Sequence, residues 1–421
     1  MTRPGAAKWL RTAWLAASLL VAAPACESLR QGANPELPLW VHRPGSVLSL
    51  LQHRQITAEG RNLDEAYERG RPAIDPRNRR IFVGSSDHGL YALRADDGAP
   101  IWRFETVGAV QCEPLYDSSE DVVYFGSNDG ALYKVRAENG HLLWRFMTNA
   151  EVERRPILHR GLLYFVNAND TLIAADPETG AMKWNQHRPP IGGMSIAGYG
   201  GAAAYQDRIL VAFSDGHVAA FDASDGTPLW QPVDLSAEAE ESLGYQVPKY
   251  FDVDTTPIVT QTAAGPVAIV ASYTGGLFAL DTSNGAQVWS NPRVTGVTDL
   301  TLWTQPAHRS SKGGPEHPAR KVLIASSGTS GVWGLNPEDG TELWRRPLPE
   351  GGISAPAMVA GAMLVSTTRH GLFLMSPLDG KVIDGIDLGM GFAMAPAGHG
   401  TRAYVMSNGG AMLLLQVAPP G

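Results

Sequence analysis

From about residue 70 to residue 417, short apolar runs with period-two alternation are cut at regular intervals by clusters of Gly, Asp and Asn. One unit reads Val122 to Phe125, the turn Ser127-Asn128-Asp129-Gly130, the alternating run Ala131 to Val135, a second turn Glu138-Asn139-Gly140, and His141 to Phe146. Runs this short with period two predict strands. Asn-Gly or Asp-Gly between them predicts hairpins, because such turns need the positive φ that Gly and Asn adopt at little cost. Helical repeats need longer runs of period 3.6, which this pattern does not supply.

The unit recurs, and tryptophan marks it. Trp stands four residues after the glycine of Asp97-Gly98, Asn139-Gly140, Thr179-Gly180, Asp225-Gly226, Asn284-Gly285 and Asp339-Gly340, as Trp102, Trp144, Trp184, Trp230, Trp289 and Trp344. The period of about forty residues suits propeller blades, and the strand pattern selects them over helical arrays. A further strand precedes each unit, mostly with proline near its start: Arg71 to Ile74, Glu113 to Tyr116, Arg155 to Leu158, Gly201 to Tyr205, Thr256 to Val259, Leu300 to Thr304, Ala355 to Met358 and Ala395 to Gly398. Eight such segments and four strands per unit predict an all-β chain, an eight-bladed β-propeller of four-stranded antiparallel blades.

The eighth unit stops before its outer strand. Leu37-Pro38-Leu39-Trp40-Val41 carries the pattern of Glu342-Leu343-Trp344, so an N-terminal strand is expected to close the ring there, with Trp40 as a further docking residue. The seventh unit is degenerate, with Asp384 four residues after Gly380. Each Trp is expected to fill the wedge between neighbouring blades.

Residues 1–25 differ in kind. Arg3, Lys8 and Arg11 form a basic head and Trp14 to Ala23 an apolar stretch too short to span a bilayer. Ala23-Pro24-Ala25 then leads to Cys26, as in an export signal. This gives a signal peptide at 1–25, an anchor linker at 26–36 and the propeller at 37–421. The sequence has two cysteines; with Cys26 lipidated, Cys112 has no disulfide partner and is expected in a buried strand. Losing the three basic residues of the signal takes the formal net charge from −8 to −11. An acidic ring without a basic patch argues against nucleic acid or an anionic membrane surface as partner.

The acidic turns, such as Ser85 to Gly89 and Phe213 to Gly216, lack the spacing of a calcium loop and recur as hairpin formers. No HExxH, Cys/His cluster, Gly-x-Ser-x-Gly elbow or P-loop is present, so no catalytic set, metal site or cofactor is expected. His308 and His317 lie in a polar insertion, 305–320, read as a solvated loop; a second insertion spans 234–250.

The pattern of Ala175-Asp176 to Trp184 and Leu280-Asp281 to Trp289 resembles the repeat of quinoprotein dehydrogenases and their non-enzymatic relatives. Cys26 after Ala23-Pro24-Ala25 resembles a bacterial lipobox, although Ala23 stands where leucine is usual. Asp252-Val253-Asp254-Thr255-Thr256-Pro257, followed by Gly276 to Asp281, is similar to a motif of the BamB family, lipoprotein subunits of the outer-membrane β-barrel assembly machinery. That resemblance implies a palmitate-bearing, lipid-anchored protein of the outer membrane facing the periplasm, a monomer within the complex. It implies that Asp252 and Asp254 meet the POTRA region of the barrel-inserting subunit. Asp before Thr-Thr also caps turns, which is the local alternative. The family's second contact loop falls at Met194 to Gly198, where Met194 and Ile196 match its apolar pair and Ala197 stands at its arginine position.

Two functions follow as expectations. The first is a non-enzymatic periplasmic scaffold that binds a partner in outer-membrane protein assembly. The alternative is a quinone-dependent dehydrogenase, or a propeller scaffold or sensor of another envelope complex. The chain has no adjacent cysteine pair and no CxxCH haem site, which weighs against the enzyme.

Overall fold

The computed structural model describes residues 47–57, 67–189, 199–236, 253–309, 316–348, 351–389 and 391–418. Its strands form eight four-stranded antiparallel sheets arranged as the blades of one ring, an eight-bladed β-propeller. Blade 2 is representative, with Leu115–Asp117, Val122–Gly126, Ala131–Arg136 and Leu142–Met147 paired in chain order. The innermost strands begin directly after Pro72, Pro114, Pro156, Pro257, Pro356 and Pro396. Proline has no N–H for a ladder, so it stands at the start of a strand and not within it. The core lies between blades. Phe82 and Leu90 of blade 1, for example, pack with Val123, Phe125 and Tyr133 of blade 2 in one buried cluster.

The tryptophan station has a repeated local cause. The turn glycine before each outer strand is left-handed, with φ from +66° to +76° at Gly98, Gly140, Gly180, Gly226, Gly285, Gly340 and Gly380. In five of the six blades that carry Trp, a bulge then sets the indole opposite the third strand, as where Ala92 pairs with Trp102 and Leu93 with Pro100. Such a bulge turns the strand and re-aims the side chain it carries. The indole of blade n lies on the turn glycine of blade n+1. A Cβ added at Gly140, Gly180, Gly226, Gly285, Gly340 or Gly380 meets Trp102, Trp144, Trp184, Trp230, Trp289 or Trp344 at 2.4–2.8 Å. Each indole N–H also donates to a carbonyl three residues before that glycine, at 3.0–3.4 Å.

The ring is closed by an N-terminal strand, but a different one from Leu37 to Val41. Leu48–Gln55 pairs antiparallel with Ala411–Val417, from Leu48 opposite Val417 to Gln55 opposite Ala411. Its register shift puts Gln52 opposite Leu414, the place Trp takes elsewhere. An outermost strand buries little, and here only Leu48 is buried, so its hydrophobic signature is faint. Trp40 lies outside the described residues. Blade 8 therefore has no turn between its third and fourth strands, and no turn glycine on which blade 7 could seat an indole. Asp384 takes that station and accepts the Leu48 N–H at 2.8 Å.

Two further expectations are refined. The 305–320 insertion contains a short hairpin, His308–Arg309 paired with Glu316–His317, and is not wholly irregular. Cys112 is buried, but in the segment leading to Leu115–Asp117 and not in a strand. Its Sγ–H lies near the carbonyls of Glu113 and Arg154, and burial pushes the thiol up to about 12.

Candidate partner-binding site

The residues singled out as partner contacts lie on segments that lead into the inner strands of blades 4 and 5. Met194, Ile196 and Asp252 fall outside the described residues, as do Ala197 and Cys26. Asp254 is described, and it is 4% exposed. Val253 and Thr255 beside it are fully buried. The hydroxyls of this motif satisfy main chain. Thr255 Oγ1 accepts the Ala271 N–H at 2.9 Å, and Thr256 Oγ1 accepts the Gly201 N–H at 3.1 Å.

Glycine is what lets blades 4 and 5 approach here. A Cβ at Gly201 would lie 2.5 Å from Thr256 Oγ1, and one at Gly200 would lie 3.1 Å from the Thr255 carbonyl. Both distances are inside ordinary van der Waals contact, so Gly200-Gly201 and Thr255-Thr256 form one packed joint.

Arg154, which the repeat pattern did not single out, joins the same region. Its Nε donates to the Tyr199 carbonyl at 2.5 Å, and its Nη2 donates to the Asp254 carbonyl at 2.8 Å. Nη1 lies 3.9 Å from Asp299 Oδ1. Tyr199 is tied back to blade 3: its hydroxyl accepts the Glu153 N–H at 2.6 Å and donates to the Glu151 carbonyl at 3.1 Å. Burial pushes the Tyr199 phenol far above its usual range. Burial also raises the Asp299 carboxyl, against the opposing pull of Arg154 and Arg71. The sequence offered one sign of Arg154, the adjacent pair Arg154-Arg155 directly before Pro156, where the two residues directly before each other inner-strand proline include at most one basic residue.

At the hub, a cavity of about 370 Å³ is lined in part by Arg71, Glu113, Tyr116, Arg155 and Thr301. Arg155 Nη1 and Glu113 Oε1 are 3.6 Å apart, and Arg71 Nη2 donates to the Ala355 carbonyl of blade 7 at 3.1 Å. Among the described residues, no group of three or more His, Cys, Asp or Glu is placed to hold a metal ion.

Eight blades, six of them with an indole seated on the turn glycine of the next, and a ring closed through an N-terminal strand, define a tryptophan-docked β-propeller. Similar rings are found in solved structures. BamB from Moraxella catarrhalis aligns with a TM-score of 0.67 and 18% identity, covering 88% of this chain and 100% of that one. Quinohemoprotein alcohol dehydrogenase from Comamonas testosteroni aligns at 0.61 and 13%, covering 89% and 77%. At such identities the likeness concerns the fold. The family is set by sequence: the family model for outer membrane protein assembly factor BamB matches residues 86–302 and 293–412, and the chain belongs to that family. Among curated relatives, outer membrane protein assembly factor BamB of Legionella pneumophila (strain Paris) is 27% identical over 50% of this chain and 49% of its own length. That of Yersinia pestis is 22% identical over 78% of this chain and 67% of its own. The chain spans about half the length of the first of these relatives and about two thirds of the second.

Proposed function

We propose that this chain is a non-enzymatic scaffold in outer-membrane β-barrel protein assembly, anchored through a lipid on Cys26 and facing the periplasm. The observation that carries the reading is the reach of the family match, from blade 1 at residue 86 to blade 8 at residue 412. The relatives cited above are named as assembly factors. Its partner is a subunit of the assembly machinery, the POTRA region of the barrel-inserting protein. Met194, Ile196 and Asp252 make the contact. Asp254, being buried, supports the shape of the segment instead of offering an exposed carboxylate.

A few such anchors suffice, because a small part of an interface usually supplies most of its binding energy. With alanine at position 197, contact depends on the apolar pair and the acidic side, and a basic patch on the partner is the complement.

Co-purification from detergent-solubilised envelopes tests the reading. The intact protein should recover a barrel-assembly subunit, and the combined change of Met194, Ile196 and Asp252 to Ala should lose it with the thermal transition unchanged. Recovery of another envelope complex instead, or stoichiometric quinone uptake with dye reduction, would overturn it. Cys26→Ser should move the protein from membranes to the soluble fraction; persistence on membranes would remove the lipid anchor from the account.

A further inference from the structure

We propose that the hub cavity is a binding site for a small monocarboxylate with an apolar body, its charge taken by Arg71 and Arg155. The site stands apart from the partner contacts, since inner strands and the residues directly before them form it.

Inner segments of blades 1, 2, 3, 6, 7 and 8 surround the space of about 370 Å³. That volume is near the lower end of the range for small-molecule pockets, so the ligand is small. Most of the lining is proline and alanine with Ile74 and Met358, and Tyr116 adds an aromatic ring. The Tyr116 hydroxyl is already engaged, donating to Asp121 at 3.0 Å while the ring stacks on Phe82. Such walls suit an apolar body.

The charges select the head group. Three lining side chains are charged, Arg71, Glu113 and Arg155, which leaves one cation in excess within a chain whose formal net charge is −8. One excess cation matches a monoanion. Glu113 Oε1 stands 3.6 Å from Arg155 Nη1, so the excess falls to Arg71. Arg71 Nη2 donates to the Ala355 carbonyl at 3.1 Å, whereas its Nε is buried with no hydrogen-bond partner among the described residues. Arg71 also acts on Asp299, but that carboxylate is outside the lining and has Arg154 at 3.9 Å. A buried guanidinium N–H without an acceptor is costly, and a carboxylate offers acceptors that match the fork.

The repeat does not call for these charges. Thr256, Ala355 and Ala395 stand directly before the corresponding prolines of blades 5, 7 and 8, so a small or neutral residue satisfies the fold there.

Benzoate serves as the probe, with benzamide as its neutral counterpart and acetate as the anion without a body. In titration calorimetry of the full chain, benzoate should bind one site per chain with a Kd of about 1 mM or tighter. Benzamide and acetate should each bind more weakly, benzamide by about tenfold, the scale of one lost charge-assisted bond. Arg71→Gln should weaken benzoate by about the same factor. Because Arg71 also ties blade 1 to blade 7, Arg155→Gln is the second variant; its side chain is half exposed, and binding should weaken with the thermal transition unchanged. Glu113→Gln has the opposite sign. It removes a like charge and frees Arg155, so benzoate should bind more tightly, which a general loosening of the hub does not produce. Arg79→Gln, in an exposed pair with Asp96, is the control and should leave the Kd unchanged.

Absence of saturable benzoate binding overturns the proposal, as does equal binding of benzamide. Weaker binding in Glu113→Gln overturns it too. So does a loss in Arg79→Gln equal to that in Arg71→Gln, which would mark attraction to the surface at large.

Discussion

Alanine at Gly340 is the sharpest test of how the blades are held together. Gly340 is left-handed at φ +70°, and a Cβ there would stand 2.5 Å from Trp289 Cε3 and 2.6 Å from Cζ3. Two costs combine. The left-handed backbone costs an L-residue roughly 1–2 kcal/mol, and forcing a methyl group into a packed indole adds roughly 1–3 kcal/mol. Gly361 isolates the first cost, because it has φ +81° and no atom within 4 Å of the position its Cβ would take. Gly340→Ala should therefore destabilise by roughly 2–5 kcal/mol and Gly361→Ala by roughly 1–2 kcal/mol. Urea denaturation midpoints at unchanged slope measure both. A double-mutant cycle completes the test. Trp289→Ala alone should cost about 3–5 kcal/mol, yet in that background Gly340→Ala should fall to the cost seen at Gly361, since the atoms it met are gone. Equal costs at the two glycines, or additivity of Gly340→Ala with Trp289→Ala, would refute the idea that indole and glycine form the seam.

Ring closure and pH response give two further expectations. Asp384→Ala removes the acceptor of the Leu48 N–H and should cost roughly 1–3 kcal/mol, read as faster proteolysis or amide exchange at Leu48–Gln55 with the other outer strands unchanged. Glu68 is fully buried and accepts bonds from Ser85 Oγ, Ser86 N and Ser86 Oγ, but burial outweighs these donors and raises its carboxyl to about 7, with Asp87 adding to the rise. Its contribution is fully present below about pH 4.5, falls as pH rises through about 7 and is flat above, a loss on the order of 3 kcal/mol. Glu68→Gln should therefore gain on the wild type between about pH 5 and pH 8 in paired melting curves; a constant difference across that range would refute the assignment.

What the sequence made legible is what repeats. Turn glycines need positive φ, prolines must precede a ladder, and the indole needs a glycine on the neighbouring blade. Those constraints recur at a fixed period and so stand out from a single chain. The closing strand did not stand out, because seven of the eight residues of Leu48–Gln55 are exposed and its tryptophan station holds Gln52. The Trp-bearing Leu37 to Val41 looked more like its siblings for that reason. Glu68 was hidden, and of Arg154 the sequence showed only the pair with Arg155. Their partners belong to segments distant in sequence, reached through main-chain groups or paired serines that carry no periodic mark. Asp252-Val253-Asp254 read as one acidic element, whereas in the structure Asp254 is buried and the threonines after it tie the main chain.

The break in the tryptophan pattern follows from the break in the chain. A blade whose outer strand arrives from the N-terminus has no third turn, so no left-handed glycine awaits an indole from blade 7, while the first N–H of the arriving strand needs an acceptor. A carboxylate answers that need and an indole does not, which is why Asp384 stands where Trp102 to Trp344 set the rule. The next seam differs for the same reason. Gly98 faces Leu414 and Arg54 instead of an indole, and the Ala95 carbonyl takes its bonds from Tyr404 and Arg402. The ion pairs around Asp96, with Arg79 and Arg402, are substantially exposed, and pairs of that kind contribute little and weaken with salt. Closure therefore depends on the strand ladder between Leu48–Gln55 and Ala411–Val417 and on the buried cluster that joins blades 7, 8 and 1.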